Sequence, residues 1–308
     1  MKIYGLYRLF MLILLLTSII LISCEVKTDE DPAYVESINA WKKIRYEALT
    51  NEDGYLVLAG LYWLNPGENT YGSDPSNDIV FPGKAPAVTG AFFLEGDSVY
   101  TIINPGVEIL NNGSRVDSLE LMDVSKGKPT SLVFGTLKWY VIKRGDKYGI
   151  RLKDTEHPVR KNFKGVDYFD LSKIWRVEAT FIPSDKQNTI SIQNIIGTTN
   201  AQPSAGKLSF EIDGKNYTLD VLDGGEDKFF VIFGDMTNGD STYGAGRYMY
   251  TEKPGKDNKV VLDFNKAYNP PCAFTEFATC PLPPPQNILD IRVTAGEKVY
   301  EDGPHAKP

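Results

Sequence analysis

Histidine is the scarcest polar residue in this chain: of 308 residues only His157 and His305 carry an imidazole. Acid–base and nucleophilic sites built on histidine therefore have almost no supply. A Cys/His nucleophile would need His157 beside Cys272 with that thiol free. Two cysteines and one useful histidine also fall short of a zinc-site pattern, and no cofactor is expected. Basic residues are short as well, 33 Lys and Arg against 40 Asp and Glu. That balance lacks the positive excess needed to neutralise phosphates, which excludes nucleic acid as the main partner. No fixed-period repeat runs through the chain, and long amphipathic helical patterns are missing beyond one N-terminal segment. The apolar run Leu9 to Ile22 has 14 residues, too few to cross a bilayer comfortably.

The flanks of that run give it a meaning. Lys2 and Arg8 precede or open it, and Leu21-Ile22-Ser23-Cys24 closes it. This is a signal peptide ending in a small residue, and its last four residues match the bacterial lipobox. Cys24 is the expected lipidation site, where acyl chains would hold the mature chain on a membrane. The alternative is an uncleaved anchor helix with an incidental cysteine, which also places the remainder outside the cytoplasm. Cleavage after Ser23 removes Lys2 and Arg8 and leaves 31 basic against 40 acidic residues, a net charge of −9. The expected address is the cell envelope, on the inner or outer membrane or at the surface. Glu25 to Asp31, EVKTDED, reads as a solvated acidic tether, analogous to outward-sorting signals of surface lipoproteins. Cys272 and Cys280 remain as an even pair with seven residues between them. Export makes a disulfide plausible, and closing so short a loop would contribute about 2.5 kcal/mol. Two buried free thiols are the alternative.

Asp31 before Pro32 is an N-cap followed by a first-turn proline, and Ile38, Trp41, Arg45 and Ala48 recur at helical spacing, so a helix is predicted over 33–49. After Asn51 short apolar runs alternate with Gly, Pro, Asn and Asp clusters. Strands are predicted at 91–94, 99–103, 107–110, 131–134 and 137–143, then at 176–182, 189–196, 207–212, 217–222 and 229–233. Asn111-Asn112-Gly113 and Asp213-Gly214 mark hairpin turns. Strand runs give way to polar residues and Pro158 between Lys153 and Asp170, the best candidate boundary. The expected fold is mainly β: two β-rich lobes, sandwich- or barrel-like, preceded by one N-terminal helix. The expected organisation is a signal peptide (1–23), a tether (24–32), a lobe with the helix (33–160) and a C-terminal lobe with a proline/cysteine loop (161–308). One continuous sandwich with an elaborated loop is the alternative.

Residues 54–122 resemble forkhead-associated β-sandwiches through Gly72-Ser73, Asn77-Asp78-Ile79-Val80 and Asn112-Gly113-Ser114. Ser73 stands where that family places its phosphate-binding arginine, and no histidine precedes His157, so the resemblance implies topology and not phosphothreonine reading. A more specific resemblance begins with Trp175 to Phe181 and Gly206 to Phe210. It continues through Phe233-Gly234-Asp235, Thr242 to Tyr248, Leu262 to Phe274, Cys280 to Pro284 and Asn287. These blocks resemble the bacterial family known as domain of unknown function 1684, from about Trp41 onward. The resemblance implies a family and no reaction.

The prolines at 270, 271 and 283–285 fix an irregular, extended loop around Cys272 and Cys280. Such a loop can line a concave site. Arg247, Asp263, Asn265, Tyr268 and Asn269 are the candidate ligand-binding residues, with Arg247 suited to a carboxylate. Alternatively, Arg247 and Asp263 pair with each other and the prolines only pack. Asp235, Asn238 and Asp240 lack the full spacing of a calcium loop. The expected function is a membrane-anchored envelope lipoprotein binding a small ligand, glycan or partner protein. The alternative is a hydrolase using two carboxylates, such as Asp235 or Asp263 with Glu276.

Overall fold

The computed structural model describes residues 31–185 and 187–304. Cys24, the signal segment, most of the tether and His305 lie outside the described residues. Helix α1 spans Pro32–Thr50. Asp31 accepts a hydrogen bond from the Ala33 amide (3.0 Å) and Pro32 occupies the first turn, so the expected N-cap and first-turn proline are the observed ones, with the helix one residue longer at each end than expected. Tyr34, Ile38, Trp41, Arg45 and Leu49 recur on one helical face. That face docks on the second half of the chain: Tyr34 donates to Asp263 (2.9 Å) and Arg45 pairs with Glu297 (2.8 Å). The helix that sequence order groups with the first lobe thus packs against the second.

The first half holds β1 (Leu58–Trp63), β2 (Gly67–Gly72), β3 (Ile79–Val80), β4 (Gly90–Glu95), β5 (Ser98–Ile103) and β6 (Ile109–Asn111). It continues with β7 (Ser114–Val116), β8 (Ser118–Glu120), β9 (Ser131–Phe134), β10 (Leu137–Arg144) and β11 (Lys147–Asp154). They form a six-stranded sheet, β1-β11-β10-β9-β6-β7, and a five-stranded one, β3-β2-β4-β5-β8. The inward residues of both sheets, among them Tyr71, Phe92, Trp139, Val141, Ile150 and Leu152, share one buried core, as two packed sheets require. Tyr71 stacks on Phe92 with ring centroids 4.0 Å apart.

A short helix, α2 (Pro158–Asn162), leads to the second half. There β12 (Arg176–Pro183), β13 (Thr189–Gln193), β14 (Thr199–Ile212) and β15 (Lys215–Asp223) precede β16 (Lys228–Phe233), β17 (Arg247–Glu252) and β18 (Lys259–Asp263). Their order is β17-β16-β15-β14-β12-β18, with β13 on β14. The sheet curls until its edges meet, where Thr251 of β17 donates to the Val261 carbonyl of β18 (2.7 Å). The result is nearly barrel-like around Leu208, Leu219, Val231, Phe233, Met249 and Leu262. Asp213 and Gly214 have φ of 51° and 75°, the two positive values that a type I′ hairpin needs. The mainly β fold with one long helix is as expected. A third buried cluster joins the halves through Leu49, Leu58, Ile192, Tyr248, Phe274 and Cys280.

Candidate functional site

The polar residues singled out in the sequence form a sealed network. Along β17 the inward positions are Arg247, Met249 and Thr251, so the Arg247 side chain enters the barrel and is fully buried. It pairs with Asp235 (2.9 Å) and donates to the carbonyls of Val293 (2.9 Å), Ala295 and Glu297 (3.3 Å). Burial pulls the Arg247 guanidinium below its usual value, and Asp235 restores part of the shift. The partner is therefore Asp235 and not Asp263. Asp263 accepts from Tyr34 (2.9 Å) and from the Asn265 amide (3.1 Å), while Asn265 bonds both backbone groups of Ser172. Asn269 donates its amide to Glu297 (2.7 Å) and its side chain to the Lys298 carbonyl (2.7 Å). Glu297 is itself fully buried and holds Arg45. Four of the five candidates thus lock the barrel to α1 and the C-terminal segment, and Tyr268 lines an open cavity.

That cavity, of about 330 Å³, lies where the outward faces of the two halves meet. Inward Leu137, Trp139 and Val141 of β10 alternate with outward Lys138, Tyr140 and Arg144, and β11 presents Arg151 and Lys153 on the same side. The antiparallel register sets Lys138 opposite Lys153 and Tyr140 opposite Arg151. Facing them are the outward Phe230 of β16 and Tyr248 and Tyr250 of β17, with Tyr55, Tyr268 and Pro281.

The cleft concentrates positive charge in an acidic chain. Thr279 accepts from Arg144 Nε (2.9 Å) and from Arg151 (3.5 Å), and Arg151 also reaches the Phe277 carbonyl (3.4 Å). Neither arginine has a carboxylate partner among the described residues, and the buried Arg151 Nε has no hydrogen-bond partner there. Burial pulls the Arg144 guanidinium down, and the adjacent Arg151 charge pulls it further. Burial likewise lowers the Lys153 ammonium; Asp53 opposes the shift, accepting from it through both its carbonyl (3.0 Å) and its carboxylate (3.2 Å). Lys138 also donates to Asp53 (3.1 Å), and these two lysine bonds hold the Asp53 carboxyl below its usual range. Among the described residues, Asp53 is the one carboxylate lining the cleft.

The opposite wall is aromatic. Tyr250 stacks near Tyr268 (6.3 Å), Phe230 tilts against Tyr250 (5.0 Å), and Arg45 supports Tyr268 from behind at 4.5 Å. Burial raises the phenols of Tyr248, Tyr250 and Tyr268, so all three remain protonated at neutral pH. Tyr248 spends its proton on the Pro281 carbonyl (2.7 Å).

The proline-rich loop does line this cavity, through Pro271, Ala278, Thr279, Cys280 and Pro281. Cys272 and Cys280 form a disulfide and supply no free thiol. The loop is pinned by Ile195 N–H on the Cys280 carbonyl (2.9 Å) and Leu282 N–H on that of Gln193 (2.7 Å). His157 caps α2, accepting from the Val159 amide (3.4 Å). In the group around Asp235, Asn238 closes a turn onto the Asp235 amide (2.7 Å) and Asp240 pairs with Arg292. Glu276 is exposed, whereas Asp235 and Asp263 are buried in the network already described. Sequence reasoning missed Tyr140, Arg144, Arg151, Lys153, Tyr248 and Tyr250. The available signal was the period-two alternation of Lys138, Tyr140 and Arg144 with apolar residues, repeated by Arg151 and Lys153 after the turn.

The model of a family described as a protein of unknown function, DUF1684, matches residues 161–298. An uncharacterized protein of Haloarcula marismortui, solved by NMR, is 33% identical; the match covers 46% of this chain and 80% of that one, with a TM-score of 0.38. The chain belongs to the DUF1684 family. The family match begins well after Trp41, so this DUF1684 protein draws the aromatic wall and disulfide loop from the matched region and Arg144, Arg151 and Lys153 from the sandwich before it. The N-terminal FHA domain of EssC, a component of the bacterial type VII secretion apparatus, is 15% identical; the match covers 31% of this chain and 46% of that one. Its TM-score of 0.24 carries no argument about fold. No curated protein matches the chain.

Proposed function

We propose that this DUF1684 protein is a bacterial cell-envelope lipoprotein, anchored through Cys24, that binds a small anionic ligand in the cleft between β10–β11 and β16–β17. The observation that carries the binding reading is the pair Arg144 and Arg151. Both are half-buried, with the Arg151 Nε fully so, both are hydrogen-bonded to Thr279, and neither has a carboxylate partner among the described residues. Uncompensated cations cost stability when desolvated, so a guest anion would offset a cost already built into the fold. The tyrosine wall suits a ligand whose remaining surface is ring-like or apolar. The two-carboxylate hydrolase has no counterpart in the cleft, where Asp53 stands alone and is held by two lysines. Lipidation rests on Lys2, Arg8 and the Leu21 to Cys24 motif.

Thermal shift with phosphate, citrate and benzoate tests the cleft. At least one of these anions should stabilise the wild type, and Arg151→Gln and Lys153→Gln should each abolish most of that shift. Equal shifts in wild type and both variants would refute the site. Metabolic labelling with a fatty-acid probe should mark the wild type and spare Cys24→Ser.

A further inference from the structure

The cleft continues into a second groove of about 620 Å³, and the two share Arg144, Phe230, Thr279 and Pro281. The cleft alone lies at the small end of ligand sites, and the two together approach the top of the usual range of roughly 300–1,000 Å³. A ligand whose charge sits at Arg144 therefore has a path onward along the barrel wall. The path has two textures. Its floor is apolar, from Leu222, Phe230 and Ile232, and its rim carries the amides Asn200 and Gln202 with two ions that have partners outside the groove, Asp223 on Lys253 (2.9 Å) and Lys143 on Asp97 (3.1 Å).

We infer that the ligand is an acidic oligosaccharide, with a sugar carboxylate at Arg144 and Arg151 and further rings in the adjoining groove. The inference rests on the anion-binding reading above. A pyranose ring presents a C–H face and an edge of hydroxyls. The face matches Phe230, Tyr140 and Tyr250, and the edge matches amides that can both donate and accept. An acyl chain would leave the hydrogen-bonding capacity of Asn200 and Gln202 unused, at a desolvation cost. A peptide adding as a strand needs open backbone donors and acceptors. At the groove's inner end these are taken, because Asn194 N–H bonds the Thr198 carbonyl (2.9 Å), Ile195 N–H that of Cys280 (2.9 Å) and Leu282 N–H that of Gln193 (2.7 Å).

Calorimetric titration of the mature chain with galacturonic acid, its linear trimer, the neutral maltotriose and laurate tests this. The acidic trimer should bind at least about tenfold more tightly than the acidic monomer and than maltotriose. The double variant Asn200→Ala/Gln202→Ala, on the groove rim, should bring trimer and monomer to within about twofold of each other. A trimer no tighter than the monomer, maltotriose binding as tightly as the acidic trimer, or laurate binding where no acidic sugar does would each overturn the saccharide assignment. If acidic monomer binds and is lost in Arg151→Gln while the trimer gains nothing, the anion site stands and this inference falls. If Arg151→Gln leaves acid binding untouched, both fall.

Discussion

A fully buried arginine and a half-buried pair lie on opposite faces of adjoining sheets, and they are solved differently. Inside the barrel, Arg247 meets Asp235 and three backbone carbonyls, an arrangement in which the charge is compensated within the fold. In the cleft, Arg144 and Arg151 meet a shared threonine hydroxyl, two carbonyls and each other. Both sites are withdrawn from solvent, the first completely and the second in part; only the first has its own counter-charge. A desolvated cation with its own carboxylate is compensated within the fold, whereas the pair without one is what motivates the proposed anion site.

The contrast breaks most visibly at its structural end. Asp235→Ala leaves the Arg247 charge buried without its counterion, and a loss of about 3–5 kcal/mol is expected in denaturant unfolding. Glu297→Gln should cost about 2–3 kcal/mol, because Glu297 accepts from both Arg45 (2.8 Å) and the Asn269 amide (2.7 Å) and the amide replacement cannot neutralise Arg45. A stability change below about 0.5 kcal/mol at either position would remove the distinction drawn between the two sites. Arg151→Gln should do the reverse. It relieves repulsion on Arg144, so the midpoint should hold or rise, while affinity for the best-binding anion drops at least about tenfold.

Much of this architecture is legible in the sequence, and the site is not, for one physical reason. The strands expected at 131–134 and 229–233 appear at Ser131–Phe134 and Lys228–Phe233, because each is a short continuous apolar run between polar or turn residues. Strands β11 and β17 escape the same reading. KYGIRLKD and RYMYTE carry cations or tyrosines on the outward face, with Gly149 interrupting the first and Arg247 turned inward in the second. Those outward residues are the cleft. Arg247, Asp263, Asn265 and Asn269 stand out in the sequence as polar residues amid aromatics, but polarity does not report exposure, and here it marks satisfied burial.

A smaller effect is expected from pH. Burial lowers the Lys153 ammonium below the ordinary lysine value of 10.5, against the pull of Asp53. Between the lowered and ordinary values the unfolded chain binds the proton that the folded chain has released. Stability therefore rises with pH through that window, and the cost of burying the charge is fully present below it. Anion affinity should move oppositely, falling through the same window as Lys153 loses its charge. Lys153→Arg should flatten the fall, since a guanidinium remains charged there. An unchanged profile in that variant would assign the titration elsewhere.

Asp53 gives the finest test, because it is the chain's own anion at the cleft. It bonds Lys138 at 3.1 Å and Lys153 at 3.2 Å, yet its side chain is 72% exposed, so its grip on the lysines is weakened by solvent. Asp53→Asn removes that competing charge while leaving an oxygen that can accept from Lys153. If the cleft binds anions through uncompensated charge, affinity should increase by about two- to threefold, measured by titration with the same anion at low salt, and the gain should shrink as salt is added. The direction is the discriminating feature. A carboxylate required for catalysis or ligand contact would lower affinity or activity when neutralised, and a carboxylate that only competes with a guest anion for the lysines would raise affinity.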